Sequence, residues 1–294
     1  IGFEEAVIFA KKRIVFTNHT LVAAGREIYS KDLVSLTLTG CAQELEVPIS
    51  EVVKLGLVQD SSIFSMTILS LRMAGVANTV SKIHARKASD LWAVHPMTTV
   101  TNGIHIRTWD KTGDALVAGH QKQKQKLLTE LGWDPNSLIL GWARRFVEYK
   151  RPLAILEDLD RFVAMARNPN CPVKIVFEGE PHESDDQGND LVRKLQDLIK
   201  NSVGDCVVYL PHYNMEMAEK LVAGCDIWLN TPIVGFEACG TSSMKAALNG
   251  VLPLTTRDGW IDEVDLSKIG WIIDNDKINQ SIMDLLEKEI IPMY

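Results

Sequence analysis

The chain has 294 residues, 46% of them hydrophobic and 23% charged, with a formal charge of −7 and a pI near 5.6. This is an ordinary balance for one large or two medium globular domains, and the acidic total speaks against a nucleic-acid binder while leaving room for a local basic pocket. Cys41, Cys171, Cys206, Cys225 and Cys239 make no CxxC pair and no zinc spacing, which points to reduced thiols, a cytoplasmic setting and no metal centre.

From the N-terminus, GFEEAVIFAKK, SKDLVSLTLTGCAQEL and SIFSMTILSLRMAGVANTVSKIHARKAS read as helices up to about residue 112, followed by the loop HPMTTVTNGIHIRTWD. The most apolar window, SSIFSMTILSLRMAGVANTV, is broken by Ser, Thr, Arg72 and Asn78, so it reads as a buried helix and not a membrane span. The opening IGFEEAV has no initiator Met or signal peptide, and with the closing IIPMY it suggests an excised fragment. From about residue 138 the rhythm changes. The runs LILGWARRF, VKIVFEG, CVVYL, DIWLN and LPLTT read as strands. They alternate with helical patterns at RPLAILEDLDRFVAMARN, NDLVRKLQDLIKNSV, NMEMAEKLVAG and SSMKAALNG. Such alternation predicts an α/β fold with a parallel sheet, whose ligands bind outside the carboxyl ends of the strands. The unusual polar clusters ARRFVEYKR, EGEPHESDD, PHYN and GFEACGTSSMK all follow strands.

Taken singly, these clusters are ambiguous. ARRFVEYKR gathers Arg144, Arg145, Lys150 and Arg151 at one turn, which suits either a phosphate clamp or a solvated basic turn. In GTSSMK, Thr241 and Ser242 are natural N-caps and Lys245 falls near the start of a helix among apolar neighbours. A cation there opposes the helix dipole, which hints at a functional lysine: a phosphate ligand, or an amine held unprotonated for attack on a carbonyl. A snorkelling lysine on a capped helix is the plainer reading. His19 in FTNHT and the turn TNGIHIRTW fit structural roles equally well, and HESDD reads as a surface loop.

Their joint order is more informative. In sequence, FTNHT, VSKIH, TNGIHIRTW, RRFVEYKR, YNMEMAEK and EACGTSSMK resemble the signature segments of the α-glucan phosphorylases, over roughly residues 1–275. These are the pyridoxal 5′-phosphate enzymes related to glycogen, starch and maltodextrin phosphorylase, and DGWIDE resembles their shorter prokaryotic branch. The resemblance implies a two-Rossmann (GT-B type) glycosyltransferase architecture. Residues 1–112 would be the mainly helical end of its N-terminal domain, 113–275 the C-terminal Rossmann-like domain, and 276–294 a helix packing back across the cleft. It implies reversible phosphorolysis: inorganic phosphate takes the terminal glucose of an α-1,4-glucan to give α-D-glucose 1-phosphate. No nucleic-acid or membrane partner is expected. The oligomeric state stays open, a homodimer of the full-length protein among the options.

By the same resemblance Lys245 carries the cofactor, Thr241 and Ser242 receive its phosphate on backbone N–H groups, and Arg144 lies beside that phosphate. Trp109 and Tyr213 line the cofactor pocket, while Arg145 and Lys150 bind the substrate phosphate. Asn102 and Glu237 match contacts to glucosyl hydroxyls, Gly240 a backbone contact, and His19 the histidine beside the reacting sugar. There are departures. Cys239 replaces a serine, Ser242-Ser243 replace Gly-Asn, Arg144 replaces a lysine, Asn214 stands where many members have arginine, and VANTVSKIH lacks a glycine. The family's N-terminal part is not in this sequence, so the chain alone is expected to bind cofactor poorly. Two alternatives remain: a nucleotide-sugar glycosyltransferase of glycogen- or starch-synthase type, which would carry a glutamate at position 245, and a cofactor-free glucan-binding fragment.

Overall fold

The computed structural model describes residues 2–59, 61–93 and 95–294. They fall into two compact units, Ile1–Asn102 with Gly235–Cys239, and Gly103–Val234 with Gly240–Tyr294.

The first unit contains β1 (Val15–Asn18), β2 (Ile28–Ser30), β3 (Ile63–Ser65), β4 (Val76–Thr79) and β5 (Thr98–Thr99). The first, fourth and fifth form a parallel sheet in the order β1-β4-β5, and β2 pairs antiparallel with β3. The stretch read from sequence as helical, residues 62–89, is instead strand, helix, strand, helix. Ser65 ends β3 and accepts a hydrogen bond from the Ile68 N–H, starting the helix Met66–Met73, of which only Leu71 is buried. Gly75 then lies so close to the first helix that a Cβ there would meet the Lys11 carbonyl at 2.3 Å. The chain turns into β4, and Ser81 caps the helix Lys82–Leu91 through the His84 N–H. The apolar window is therefore a strand partner and a half-exposed helix. Among the described residues no helix is long and apolar enough to cross a membrane.

The second unit is built on β6 (Leu138–Ala143), β7 (Val173–Glu178), β8 (Val207–Leu210), β9 (Ile227–Asn230), β10 (Leu252–Thr255) and β11 (Trp271–Ile272). All are parallel, in the order β8-β7-β6-β9-β10-β11. Every residue of LILGWA is buried, because helices cover both faces of a parallel sheet. One face packs Leu140, Trp142, Phe162, Ile175 and Phe177, and the other packs Ile139, Val176, Val222, Trp228 and Trp109. This confirms the mixed α/β class with a Rossmann-like parallel sheet. The helix read over 151–168 begins only at Leu159. Arg151 has φ +47°, Pro152 follows it, and a short 3₁₀ turn, Ala154–Leu156, precedes the true cap, where Asp158 accepts from the Arg161 N–H.

Residues 103–112 go with the second unit. The buried Asn249 side chain accepts from the Lys111 N–H and donates to the Trp109 carbonyl, both at 2.8 Å. The terminal helix Ile278–Leu285, continued to Met293, also packs on this unit. Its Asp284 and Glu287 pair with Arg161 at 2.5 and 2.6 Å, and the Tyr294 hydroxyl donates to the Ser137 carbonyl.

Candidate functional site

The strand order itself locates a crevice in the second unit. From β6 the chain moves outward through β7 and β8, then returns to the other side of β6 and moves outward again through β9, β10 and β11. Loops leaving β6 and β9 therefore diverge to opposite faces, and the gap between them, at the carboxyl edge, is the usual ligand position. The loop after β6 carries Arg144, Arg145 and Lys150, and the segment after β9 leads to Gly240, Thr241, Ser242 and Lys245.

Lys245 lies in the seven-residue helix Ser242–Leu248, and its backbone N–H donates to the Thr241 carbonyl at 3.2 Å. Its Nζ rests 3.6 Å from the centroid of the buried Trp109 ring. Burial holds the ammonium pKa below the usual lysine value, and among the described residues Lys245 forms no ion pair with a carboxylate. Asn249, one turn on, donates to both the Lys245 and Trp109 carbonyls at 2.8 Å, so the lysine helix and its aromatic seat are held as one piece. The start of this helix departs from the sequence reading. Thr241 occupies the cap position in the αR region and its side chain caps nothing. The Ser242 hydroxyl accepts instead from Trp228 Nε1 at 3.2 Å, and the Ser243 hydroxyl from Trp260 Nε1 at 3.0 Å.

The basic turn after β6 divides by role. Arg145 is exposed, and Arg144 and Lys150 are half-buried. Arg151 belongs to a structural knot and is not available to a phosphate. Its guanidinium donates from Nε to the Thr231 carbonyl at 2.8 Å, and at 2.9 Å each to the Pro232 carbonyl, the Asn275 carbonyl and Asn275 Oδ1. The Thr231 hydroxyl donates to the Lys150 carbonyl at 2.7 Å and accepts from Trp142 Nε1. The Ile233 N–H donates to the Tyr149 carbonyl. The two loops flanking the crevice are thus tied together through backbone atoms, which fixes where Lys150 emerges. Tyr213, beyond β8, is half exposed, and its phenol is pushed up by burial and by Glu178.

In the first unit the remaining candidates also collect at a carboxyl edge. His19 follows β1, and the Asn102 N–H, beyond β5, donates to the Val80 carbonyl just past β4. The segment holding Glu237 is tied to the same edge by the Ser81 hydroxyl, which donates to the Ala238 carbonyl at 2.6 Å. Beneath His19, the buried His84 accepts from the Val80 N–H at Nδ1, so its Nε2–H donates to Asn18 Oδ1 at 2.8 Å. Burial, and then His19, push the His84 pKa down to about 4, which keeps the ring neutral. His84, within VSKIH, and Asn249 and Glu178 carry no local signal of a role in the sequence; what each does depends on partners distant in the chain. Among the described residues no cluster of three or more His, Cys, Asp or Glu side chains forms a metal site.

The family model for carbohydrate phosphorylases matches residues 115–269. The chain belongs to that family. It is 32% identical to a maltodextrin phosphorylase of Thermococcus litoralis and 31% identical to a glycogen phosphorylase of Mycobacterium tuberculosis. In each case the match covers all of this chain and 43% of the relative. It is 27% identical to a glycogen phosphorylase of Aquifex aeolicus, covering 53% of that protein. The chain thus spans about half the length of the curated relatives it matches. The first of these alignments runs over 369 positions against 294 residues here, so that relative carries residues within the matched region that have no counterpart in this chain.

Proposed function

We propose that the chain is the catalytic C-terminal part of an enzyme that phosphorolyses α-1,4-glucans to α-D-glucose 1-phosphate, with pyridoxal 5′-phosphate held on Lys245. The observation that carries this reading is the seat of Lys245. An amine that must bond to an aldehyde has to shed its proton. A half-buried lysine with its pKa lowered by burial and, among the described residues, no ion pair with a carboxylate suits that task. A surface lysine would instead be solvated or ion-paired.

The residue types at the crevice suit the group in charge. The uncapped first turn of Ser242–Leu248 leaves backbone N–H groups of Thr241 and Ser242 for a phosphate, with Arg144 beside it. Trp109 and Tyr213 would flank the ring. When bound, the cofactor supplies a phosphate that can give and take a proton next to the substrate phosphate. Bringing two phosphates together at low dielectric requires compensating cations, a role suited to Arg144, Arg145 and Lys150. Asn102 and Glu237 would hold glucosyl hydroxyls, with Gly240 offering a backbone contact. The His19 carbonyl would face the sugar as positive charge develops on it. The substrates, the cofactor, a cytoplasmic location and the residue roles all belong to this proposal.

The test is to incubate the protein with pyridoxal phosphate, reduce with borohydride and map peptides by mass. A phosphopyridoxyl group on Lys245, together with glucose 1-phosphate formation from maltodextrin and inorganic phosphate by the full-length parent, is the expected result. Folded parent protein with an unmodified Lys245 overturns the reading and turns attention to sugar-nucleotide donors.

A further inference from the structure

Two features of the sequence stand outside the proposed chemistry: the hydroxyls of Ser242 and Ser243, just ahead of Lys245, and the segment DGWIDE. The fold brings them together. After β10 the buried Asp258 accepts from the Gly259 N–H at 2.8 Å, Gly259 adopts φ +59°, and a short 3₁₀ turn, Gly259–Glu263, follows. That turn sets the half-buried Trp260 against the start of the lysine helix. Trp260 Nε1 donates to the buried Ser243 hydroxyl at 3.0 Å, and this hydroxyl donates in turn to the Gly240 carbonyl at 3.2 Å. Beside it, Trp228 Nε1 donates to the Ser242 hydroxyl at 3.2 Å.

The helix depends on such ties. Ser242–Leu248 has seven residues, too few to hold a helix by itself. Its far end is fixed by Asn249, through the Lys245 and Trp109 carbonyls. Its near end has none of the usual devices: the Thr241 side chain caps nothing, and the first turn holds no acidic residue. The Lys245 N–H bonds the Thr241 carbonyl, so fraying of that turn would release the lysine backbone. The relay from Trp260 through Ser243 to Gly240 spans this turn. It joins the residue before Thr241 to the second residue of the helix and anchors both to the loop after β10. A buried hydroxyl whose proton and lone pair are both engaged has no reason to rotate away.

We propose that Trp260 is a positioning residue for Lys245: acting through the Ser243 hydroxyl, it holds the turn from Gly240 to Lys245 in the conformation that seats the amine beside Trp109. The inference rests on the reading of Lys245 as the amine that bonds an aldehyde cofactor, and it gives DGWIDE a part in that step. A lysine already ordered loses less conformational freedom when it bonds.

Reductive methylation with isotopically labelled formaldehyde turns Lys245 into a dimethylated amine that still binds and releases a proton. Its NMR signal is identified by its loss in Lys245→Arg. With Nζ 3.6 Å from the Trp109 ring centroid, the wild-type methyl protons should be moved upfield by the ring, and the amine should titrate below the ordinary lysine range. Trp260→Phe keeps an aromatic ring and removes the donor, and Ser243→Ala removes both bonds of the relay. In each, the upfield shift should shrink and the titration should move up toward the ordinary value. Trp260→Phe should add nothing in the Ser243→Ala background. Formation of the reducible adduct with pyridoxal phosphate should weaken about two- to tenfold in both, the equivalent of one neutral hydrogen bond. Circular dichroism checks folding, and Ser243→Ala carries the test should Trp260→Phe fail to fold. A Lys245 signal unchanged in the folded variants, or a wild-type signal with no upfield shift, overturns the proposal. If wild-type Lys245 is still labelled in that case, the cofactor reading stands without it. Methyl signals that respond as expected, in a protein whose Lys245 takes up no pyridoxal phosphate, uphold the positioning role and overturn the cofactor reading.

Discussion

Replacing Arg151 by alanine removes a guanidinium that makes four hydrogen bonds to Thr231, Pro232 and Asn275. Thr231 and Pro232 are buried, so the Thr231 carbonyl loses a partner that water replaces only poorly, whereas the Pro232 carbonyl keeps the Thr256 hydroxyl at 2.7 Å and the half-exposed Asn275 can be rehydrated. One orphaned carbonyl at roughly 1–3 kcal/mol gives a loss of about 2 kcal/mol. For a unit of this size that corresponds to a drop in Tm of about 4–8 °C. The backbone adds an internal control. Arg151 has φ +47°, which costs any residue with a Cβ about 1 kcal/mol and glycine almost nothing. Arg151→Gly should therefore melt below wild type but above Arg151→Ala, by about 1 kcal/mol. Thermal melts followed by circular dichroism at 222 nm measure all three. An alanine variant within about 2 °C of wild type would refute the clamp, and an alanine variant as stable as the glycine variant would refute the backbone argument.

Other substitutions probe the remaining buried polar groups. The folded-state pKa of Glu178 is raised to about 8, so the folded protein holds a proton that the unfolded chain releases near the ordinary carboxylate value. Wild type should lose stability as pH rises from about 4.5 to 8, by at most about 1.4 kcal/mol per pH unit. Glu178→Gln should lack that slope and melt higher than wild type at pH 8, and superimposable Tm–pH curves would contradict it. For His84, held at about 4, the sign reverses. Stability is intact above about 6.5 and falls as pH drops toward 4, and His84→Gln should flatten that limb. NMR should find the His84 ring neutral at pH 5. Asn249→Ala breaks the bonds to Lys111, Trp109 and Lys245 and should cost about 2–4 kcal/mol in urea unfolding, with slower labelling of Lys245. Full stability in that variant would show that Trp109 and the lysine helix are held by other contacts.

The strands of the second unit were legible because each is buried on both faces and so appears as an unbroken apolar run. LILGWA and VKIVFE show this plainly. Their alternation with amphipathic helices implied a parallel sheet, and a parallel sheet carries its polar loops on one edge. The clusters around Arg144 and Lys245 could thus be assigned to that edge from the sequence. The first unit was harder to read. In TILSLRMAGVANTV, helix and strand are equally apolar, and the choice was made by Gly75 meeting the Lys11 carbonyl and by Val76–Thr79 pairing with β1.

The sequence by itself determined the fold class, the family and the edge on which the chemistry-bearing residues lie, since these follow from local periodicity and short motifs. Tertiary structure decided what individual polar residues do. Arg151 reads as one more cation of a phosphate clamp until carbonyls 80 and 124 residues away capture its guanidinium. Glu178, the last residue of VKIVFE, carries no local mark of its burial, yet between its ladder neighbours Ala143 and Leu210 it is 0% exposed. A side chain's charge state and partners depend on its dielectric surroundings and on groups brought near by folding, and neither is written in the residues beside it.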